Sequence, residues 1–329
     1  MSIIDDIRRK AAGDPKKIVL PESDDRRTMD ALELILDNKI ARIILVGKES
    51  VVKQVKSKNI KDLEVIDPAT YRDTDSIVND FYELRKAKGM TLEEAHKTVR
   101  EDWLTFAAML VRRDVAAGFV GGANHTTAAT VRAALRCLKI DKEIGVAAGS
   151  FLMEVPNSPY GEKGVFIFAD CGVNPEPNAR QLAGTGVLSA RLFQRLVGKT
   201  PHVAFLSYSS KGSAEGPLVD KIKDAVAKAK EMMPEISIDG EFQVDSALVP
   251  EVAKIKCPGS DVAGRANVLI FPDLNSGNIS YKLTQRLANA RAVGPLLMGF
   301  TEPCSDLSRG CSVDDIIDAV AVTVVRAQC

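Results

Sequence analysis

Ten residues near the C-terminal end, Asp306-Leu-Ser-Arg-Gly-Cys-Ser-Val-Asp-Asp315, gather a hydroxyl, a guanidinium, a thiol and carboxylates directly before an apolar-periodic run, Ile316 to Val325. Ser312 can cap the helix that this run predicts, with Asp315 three residues on reaching back to the cap's backbone N–H. A helix N-terminus carries partial positive charge and unpaired N–H groups, so an anion or a developing oxyanion beside Ser308 and Arg309 is favoured there. Spacing alone leaves two readings open: a well-capped helix with a solvated arginine, or a catalytic loop.

Three other stretches have the makings of ligand contacts. Gly121-Gly-Ala-Asn-His-Thr-Thr127 joins a predicted strand to a helix that carries Arg132. Its small residues let the backbone approach an anion, although it matches neither the P-loop nor the dinucleotide-binding fingerprint. Pro272-Asp-Leu-Asn-Ser-Gly-Asn278 opens a helix with Lys282 and Arg286 one turn apart, like charges that repel unless solvent screens them or an anion lies between them. Tyr208 to Ser213 is a polar, glycine-bearing loop at a strand end. His125 lies in the first of these loops, within reach of a ligand, whereas His96, His202 and Trp103 read as packed or half-exposed. Three scattered histidines do not make a metal site.

The elements that must hold these residues read as α/β. Ile3 to Ala12 predicts a short amphipathic helix, Lys17 to Pro21 a buried strand, then a helix through Asp37 and a second strand over Ala41 to Gly47. Strand, helix, strand at this spacing signals a parallel sheet with right-handed crossovers. Leu63 to Ile66 and Val115 to Val120 are further strands, and Thr91 with Glu94 predicts a capping box between two helices. Beyond a Gly/Ala-rich stretch at Glu143 to Ser150, Phe151 to Val155 and Gly164 to Asp170 predict a hairpin, hence a mixed sheet. Helices over Glu176 to Val197 and Pro217 to Met233 flank a strand at Val203 to Ser207. Gly240 to Val244 is read as short and extended, and Val268 to Phe271 as the last buried strand. The expected domains are 1–145 with 300–329, the final helix returning to the first domain, and 146–299. The ten-residue stretch then lies at a crossing between them, where ligand clefts are common.

Composition bounds the function. At 329 residues the chain is long enough for about two cores. Its 44 basic and 44 acidic side chains cancel, which argues against a nucleic-acid binder, since those carry a basic excess. Charges occupy the first ten residues where a secretory signal needs its apolar core, and no run reaches the ~18 apolar residues of a membrane span. A cytoplasmic protein without membrane partner is expected. Its six cysteines lack paired spacing and are expected to be free thiols.

The ten-residue stretch, together with Pro272 to Asn278, Tyr281-Lys-Leu-Thr-Gln-Arg286, Phe205-Leu-Ser-Tyr-Ser-Ser-Lys-Gly-Ser213 and Ile18-Val-Leu-Pro-Glu22, closely resembles the phosphate acetyl/butyryltransferase family, over essentially the whole chain and in the same order. The resemblance implies two three-layer αβα domains flanking a cleft, similar to the isocitrate and isopropylmalate dehydrogenases, and a homodimer. It implies reversible transfer of an acetyl group between CoA and phosphate in a ternary complex, with CoA as substrate and neither cofactor nor metal in the chemical step. Carried onto this chain, the family's base falls on Asp315, its transition-state hydrogen-bond donor on Ser308 and an oxyanion- or phosphate-binding position on Arg309. Its phosphate-contacting arginines fall on Arg85, Arg132 and Arg286, with Lys282 beside the last. Asn124, Thr126, Thr127, Ser207, Asn275, Gly277 and Asn278 complete the expected substrate contacts.

Where some members have a cysteine after the Pro-Asp of the hairpin turn, this chain has Pro156-Asn157-Ser158, so no thiol role transfers there. Cys311 matches a family cysteine and is assigned to packing, because direct transfer leaves no step for an enzyme thiol. Phosphate butyryltransferase is the nearest alternative. A decarboxylating NAD(P)-linked dehydrogenase on the same architecture would need a metal-binding carboxylate cluster that the candidate loops lack, and a binding module without turnover leaves the Ser308, Arg309 and Asp315 set unexplained.

Overall fold

A computed structural model of the chain describes residues 2–328. In chain order the elements begin with α1 (Ile3–Gly13), β1 (Lys17–Leu20), α2 (Arg26–Asp37), β2 (Arg42–Val46), β3 (Leu63–Ile66), α3 (Thr74–Arg85), α4 (Leu92–Glu101), α5 (Trp103–Arg112), β4 (Gly118–Gly121) and α6 (Thr127–Cys137). They continue with β5 (Ala148–Glu154), β6 (Val165–Ala169), α7 (Ala179–Val197), β7 (His202–Leu206), α8 (Pro217–Met232), β8 (Ser237–Phe242), α9 (Val244–Leu248), α10 (Pro250–Lys256), β9 (Val268–Ile270), α11 (Leu274–Leu287) and β10 (Arg291–Met298). The chain closes with β11 (Cys304–Asp306) and α12 (Val313–Ala327).

The described residues form two compact units, one of residues 3–140 and 300–328, the other chiefly of 141–299. In the first, the strand order is β3-β2-β1-β4-β11 and every pairing is parallel. Ile18, Val19, Leu20 and Ile43 to Val46 are buried, as an apolar run without alternation requires when helices cover both faces of a sheet. In the second unit the order is β10-β5-β6-β9-β7-β8. The β10–β5 and β5–β6 pairs are antiparallel and the rest parallel. The hairpin and the mixed sheet expected from the sequence are therefore present.

Two expectations need correction. Val268–Ile270 is not the last strand, because β10 and β11 follow it. Pro295 hid β10, since proline cannot donate to a ladder; here it sits where the β10–β5 register shifts between Val293 and Leu296, a break that accommodates the missing donor. At three residues, two of them polar, β11 lacks a readable pattern. The extended stretch placed at 240–244 is also shifted: β8 ends at Phe242 and Val244 already begins α9.

The helix of most interest, α12, is buried almost all round from Ile316 to Val325. It packs on α1, α2 and β4 of its own unit. A Cβ at Gly118 on β4 would meet Thr323 Cγ2 at 2.8 Å, so only glycine allows that approach. The Ser305 and Thr323 hydroxyls bond at 2.8 Å, fixing α12 against β11. From α1, Arg8 donates to Asp318 at 2.6 Å and Asp314 at 3.0 Å, which locks the first turns of α12. Among the described residues no helix is long and apolar enough to cross a membrane. Cys137, Cys171, Cys257, Cys304 and Cys311 are free and buried, as expected; Cys329 lies outside the described residues.

Candidate active site

In the first unit the chemistry gathers where β1, β4 and β11 end. β11 runs parallel to β4 with Asp306 opposite Gly121, so the chain leaves the sheet side by side at Leu307 and Gly122. The first exit gives the Ser308 to Gly310 turn and α12, the second the loop that opens α6. Ser308, Arg309 and Gly310 are exposed and Asp315 half-buried.

Ser312 accepts the Asp315 amide at 3.2 Å, and Asp315 Oδ2 accepts the Ser312 amide at 2.8 Å, the complete capping box read from the sequence. Asp315 Oδ1 has no protein donor among the described residues, so one oxygen anchors the helix start while the other is not engaged in the cap. Ser308 Oγ accepts the Gly310 amide at 3.2 Å, which leaves its hydroxyl proton to donate elsewhere. The Arg309 guanidinium enters no ion pair among the described residues, while its carbonyl oxygen accepts from Arg27 at 2.8 Å.

Arg27, at the start of α2, ties the two loops together. Its guanidinium also donates to the Cys311 carbonyl at 2.9 Å and to the Ala123 carbonyl at 2.6 Å, while Asp25 holds it by a 2.7 Å ion pair. On the other side Glu22, buried at the end of β1, accepts the backbone N–H groups of Gly122, Ala123 and Asn124 at 2.8 to 3.0 Å. His125 Nδ1 lies 2.7 Å from the same carboxylate. Thr126 then caps α6 by accepting the Ala129 amide.

Beneath both loops is Asp306, wholly buried, with neither carboxylate oxygen satisfied in full hydrogen-bond geometry. A Cβ on Gly122 would fall 2.2 Å from its Oδ1, so the loop crosses directly over it and needs glycine there, at φ +108°. Burial pushes the Asp306 carboxyl up to about 6. Thr127, Thr130 and the Leu307 amide oppose the shift, and Glu22 adds to it. Burial also drives the Cys311 thiol up to about 11, so at neutral pH it is a packed thiol and not a thiolate nucleophile.

The structure thus brings Ser308, Arg309, Asp315, Asn124, Thr126 and Thr127 onto two adjoining loops and the helices they open. Arg132 is exposed further along α6, and Arg85 stands at the end of α3 with its Nε buried and unpartnered. The remaining expected contacts belong to the second unit. Lys282, Arg286 and Asn275 are exposed on α11, and Lys282 lies 4.9 Å from the Tyr281 ring centre. Gly277 serves packing, since a Cβ there would stand 2.2 Å from the Asp170 carbonyl, and Asn278 donates to the Cys171 carbonyl at 3.2 Å. Ser207 accepts the Ser209 amide after β7. Sequence reasoning missed Arg27 as part of the site, and gave no role to Asp306, which opens the ten-residue stretch, or to Glu22. Only Glu22's place at the end of a strand signalled it.

Comparisons with known proteins give the chain its family. The profile of the phosphate acetyl/butaryl transferase family matches residues 2–324. A phosphate acetyltransferase of Thermoanaerobacterium thermosaccharolyticum is 49% identical over all of both chains. A phosphotransacetylase from Streptococcus pyogenes superposes with a TM-score of 0.91 at 39% identity, covering 99% of each chain. A 4-hydroxythreonine-4-phosphate dehydrogenase from Klebsiella pneumoniae, at 12% identity and TM-score 0.51 over 95% of this chain and 100% of that one, shares the fold alone. That likeness accords with the dehydrogenase-like architecture expected from the sequence. Fold and relatives define the class, an α/β acyltransferase. More particularly, the chain belongs to the phosphate acetyl/butaryl transferase family.

Proposed function

We propose that the protein transfers an acetyl group reversibly between CoA and inorganic phosphate, with both substrates bound at once and Asp315 as the base. The observation that carries the mechanism is the divided role of Asp315: Oδ2 is fixed by the Ser312 amide at 2.8 Å, and Oδ1 is left to take a proton. A thiol of pKa ~8.5 is only a few per cent ionised at neutral pH, so a positioned carboxylate is useful. The thiolate attacks the acyl carbonyl. The developing oxyanion is met by the Ser308 hydroxyl, by Arg309 and by the positive end of α12. Arg85, Arg132, Lys282 and Arg286 supply charge for the phosphate groups, the arginine forks binding two oxygens at once. CoA and acetyl phosphate are substrates, and the chemistry calls for no cofactor. The exposed Ile279, Leu283 and Leu287 form an apolar stripe along α11 that a second copy would cover in a homodimer; monomeric mass in sedimentation would remove that part of the reading.

The decisive experiment follows CoA release from acetyl-CoA and phosphate with a thiol reagent, in wild type and Asp315→Asn. The expected result is activity in the first and a kcat loss of ~10²-fold or more in the second, with KM little changed. Inactive wild-type protein refutes the function. Equal activity in the two proteins returns Asp315 to capping alone.

A further inference from the structure

The mechanism above leaves one proton unassigned. The thiol proton goes to Asp315, yet the phosphate that departs from an acyl phosphate gains a proton on its bridging oxygen. A donor is needed on the phosphate side, and one side chain in the first unit has the form of one. His125 Nδ1 lies 2.7 Å from the carboxylate of Glu22, whose side chain is 2% exposed while that of His125 is 39% exposed. The imidazole is held at one nitrogen and open at the other. That is the arrangement in which a buried carboxylate fixes the tautomer and supports the imidazolium. Glu22 is itself immobilised by three backbone N–H groups of the same loop.

The loop is also in the right place. Arg27 spans it to the other, donating to Ala123 O and Arg309 O from the two ends of one guanidinium, and Thr126, next to His125, caps the helix whose N-terminus favours an anion. The charged groups facing the loop are Glu22 and Asp24 from the turn after β1, Arg27 from α2 and Asp306 from the end of β11.

We propose that His125 is a further catalytic residue, the proton donor to the departing phosphate oxygen, held for that task by Glu22. In the acetyl-CoA-forming direction the C–S bond forms as the thiol proton passes to Asp315. The tetrahedral intermediate then collapses, and the C–O bond to phosphate breaks with its electron pair leaving on oxygen. That oxygen takes the Nε2 proton of His125. The proton on Asp315 returns to His125 through solvent, so the products are the thioester and hydrogen phosphate with no change of oxidation state. In the other direction His125 takes the proton of the attacking phosphate. The inference rests on the function proposed above.

The test is kcat and KM for thioester formation from acetyl phosphate and CoA in wild type, His125→Gln and Glu22→Gln, with thermal melts for each. For His125→Gln the expected result is a kcat loss of ~10²-fold or more at unchanged KM and melting temperature. For Glu22→Gln kcat also falls, with KM little changed, because the imidazole loses the carboxylate that orients it. If Glu22→Gln does not fold, His125→Gln decides alone. A kcat within threefold of wild type, or a loss confined to KM, in a folded His125→Gln protein overturns the inference. Inactive wild type would instead refute the function itself.

Discussion

The guanidinium of Arg27 donates to the main-chain carbonyl of Arg309 at 2.8 Å, across 282 positions of sequence. Through that bond and those to Cys311 and Ala123, a residue of α2 sets the separation of the two loops that carry the site. Lysine has the charge but not the fork, so it can reach one carbonyl and not span three. Arg27→Lys is expected to lower kcat by roughly 10²-fold, the scale of a ~1 Å misplacement of reacting groups, with a smaller effect on KM. Steady-state kinetics on folded variant checks this; kcat within threefold of wild type would show that the loops hold their places without Arg27.

Cys311 is expected to be dispensable for chemistry. Desolvation is the main reason its thiol is pushed up to about 11, with Asp315 adding to the shift and Arg27 opposing it. Cys311→Ala keeps the backbone carbonyl that Arg27 uses. It should retain kcat within a few-fold and lose about 1 kcal/mol of stability from the vacated volume, a typical figure for trimming a buried side chain. A hundredfold kcat loss at unchanged melting temperature would give the thiol a chemical role instead.

The part of the site legible in the sequence is the part whose interactions are local. Ser312 and Asp315 are three residues apart, so their capping box could be read from spacing, as could that of Thr91 and Glu94. Glu22 could not be read this way. Its partners are main-chain amides about a hundred positions away, and the side chains at those positions say nothing about which carboxylate they meet. Arg27 is hidden for the same reason, since it binds carbonyls. In the fold, strands announced by unbroken apolar runs such as Ile43 to Val46 were plain, whereas β10 was masked by Pro295 at its bulge. Short-range physics predicts elements and caps; the geometry that makes them a site depends on which strand ends the sheet brings side by side.

Asp306 is where that geometry should register most clearly as pH dependence. Its carboxyl is pushed up to about 6, burial being the largest cause. An acid whose folded pKa lies above its unfolded value binds its proton more tightly in the native state. Its stability contribution is therefore intact below about pH 4 and is lost as pH rises through about 6, a penalty on the order of 3 kcal/mol. Asp306→Asn keeps the shape and removes the charge, and its amide can donate to the Thr127 and Thr130 hydroxyls. The variant should melt higher than wild type at pH 8, with the advantage shrinking toward pH 5. Because Asp306 also lies under Gly122 and at the root of the Ser308 loop, the same variant should lose activity, the usual exchange when a strained charge supports a site. Melting curves that run parallel in the two proteins from pH 5 to 8 would show that Asp306 carries no such penalty.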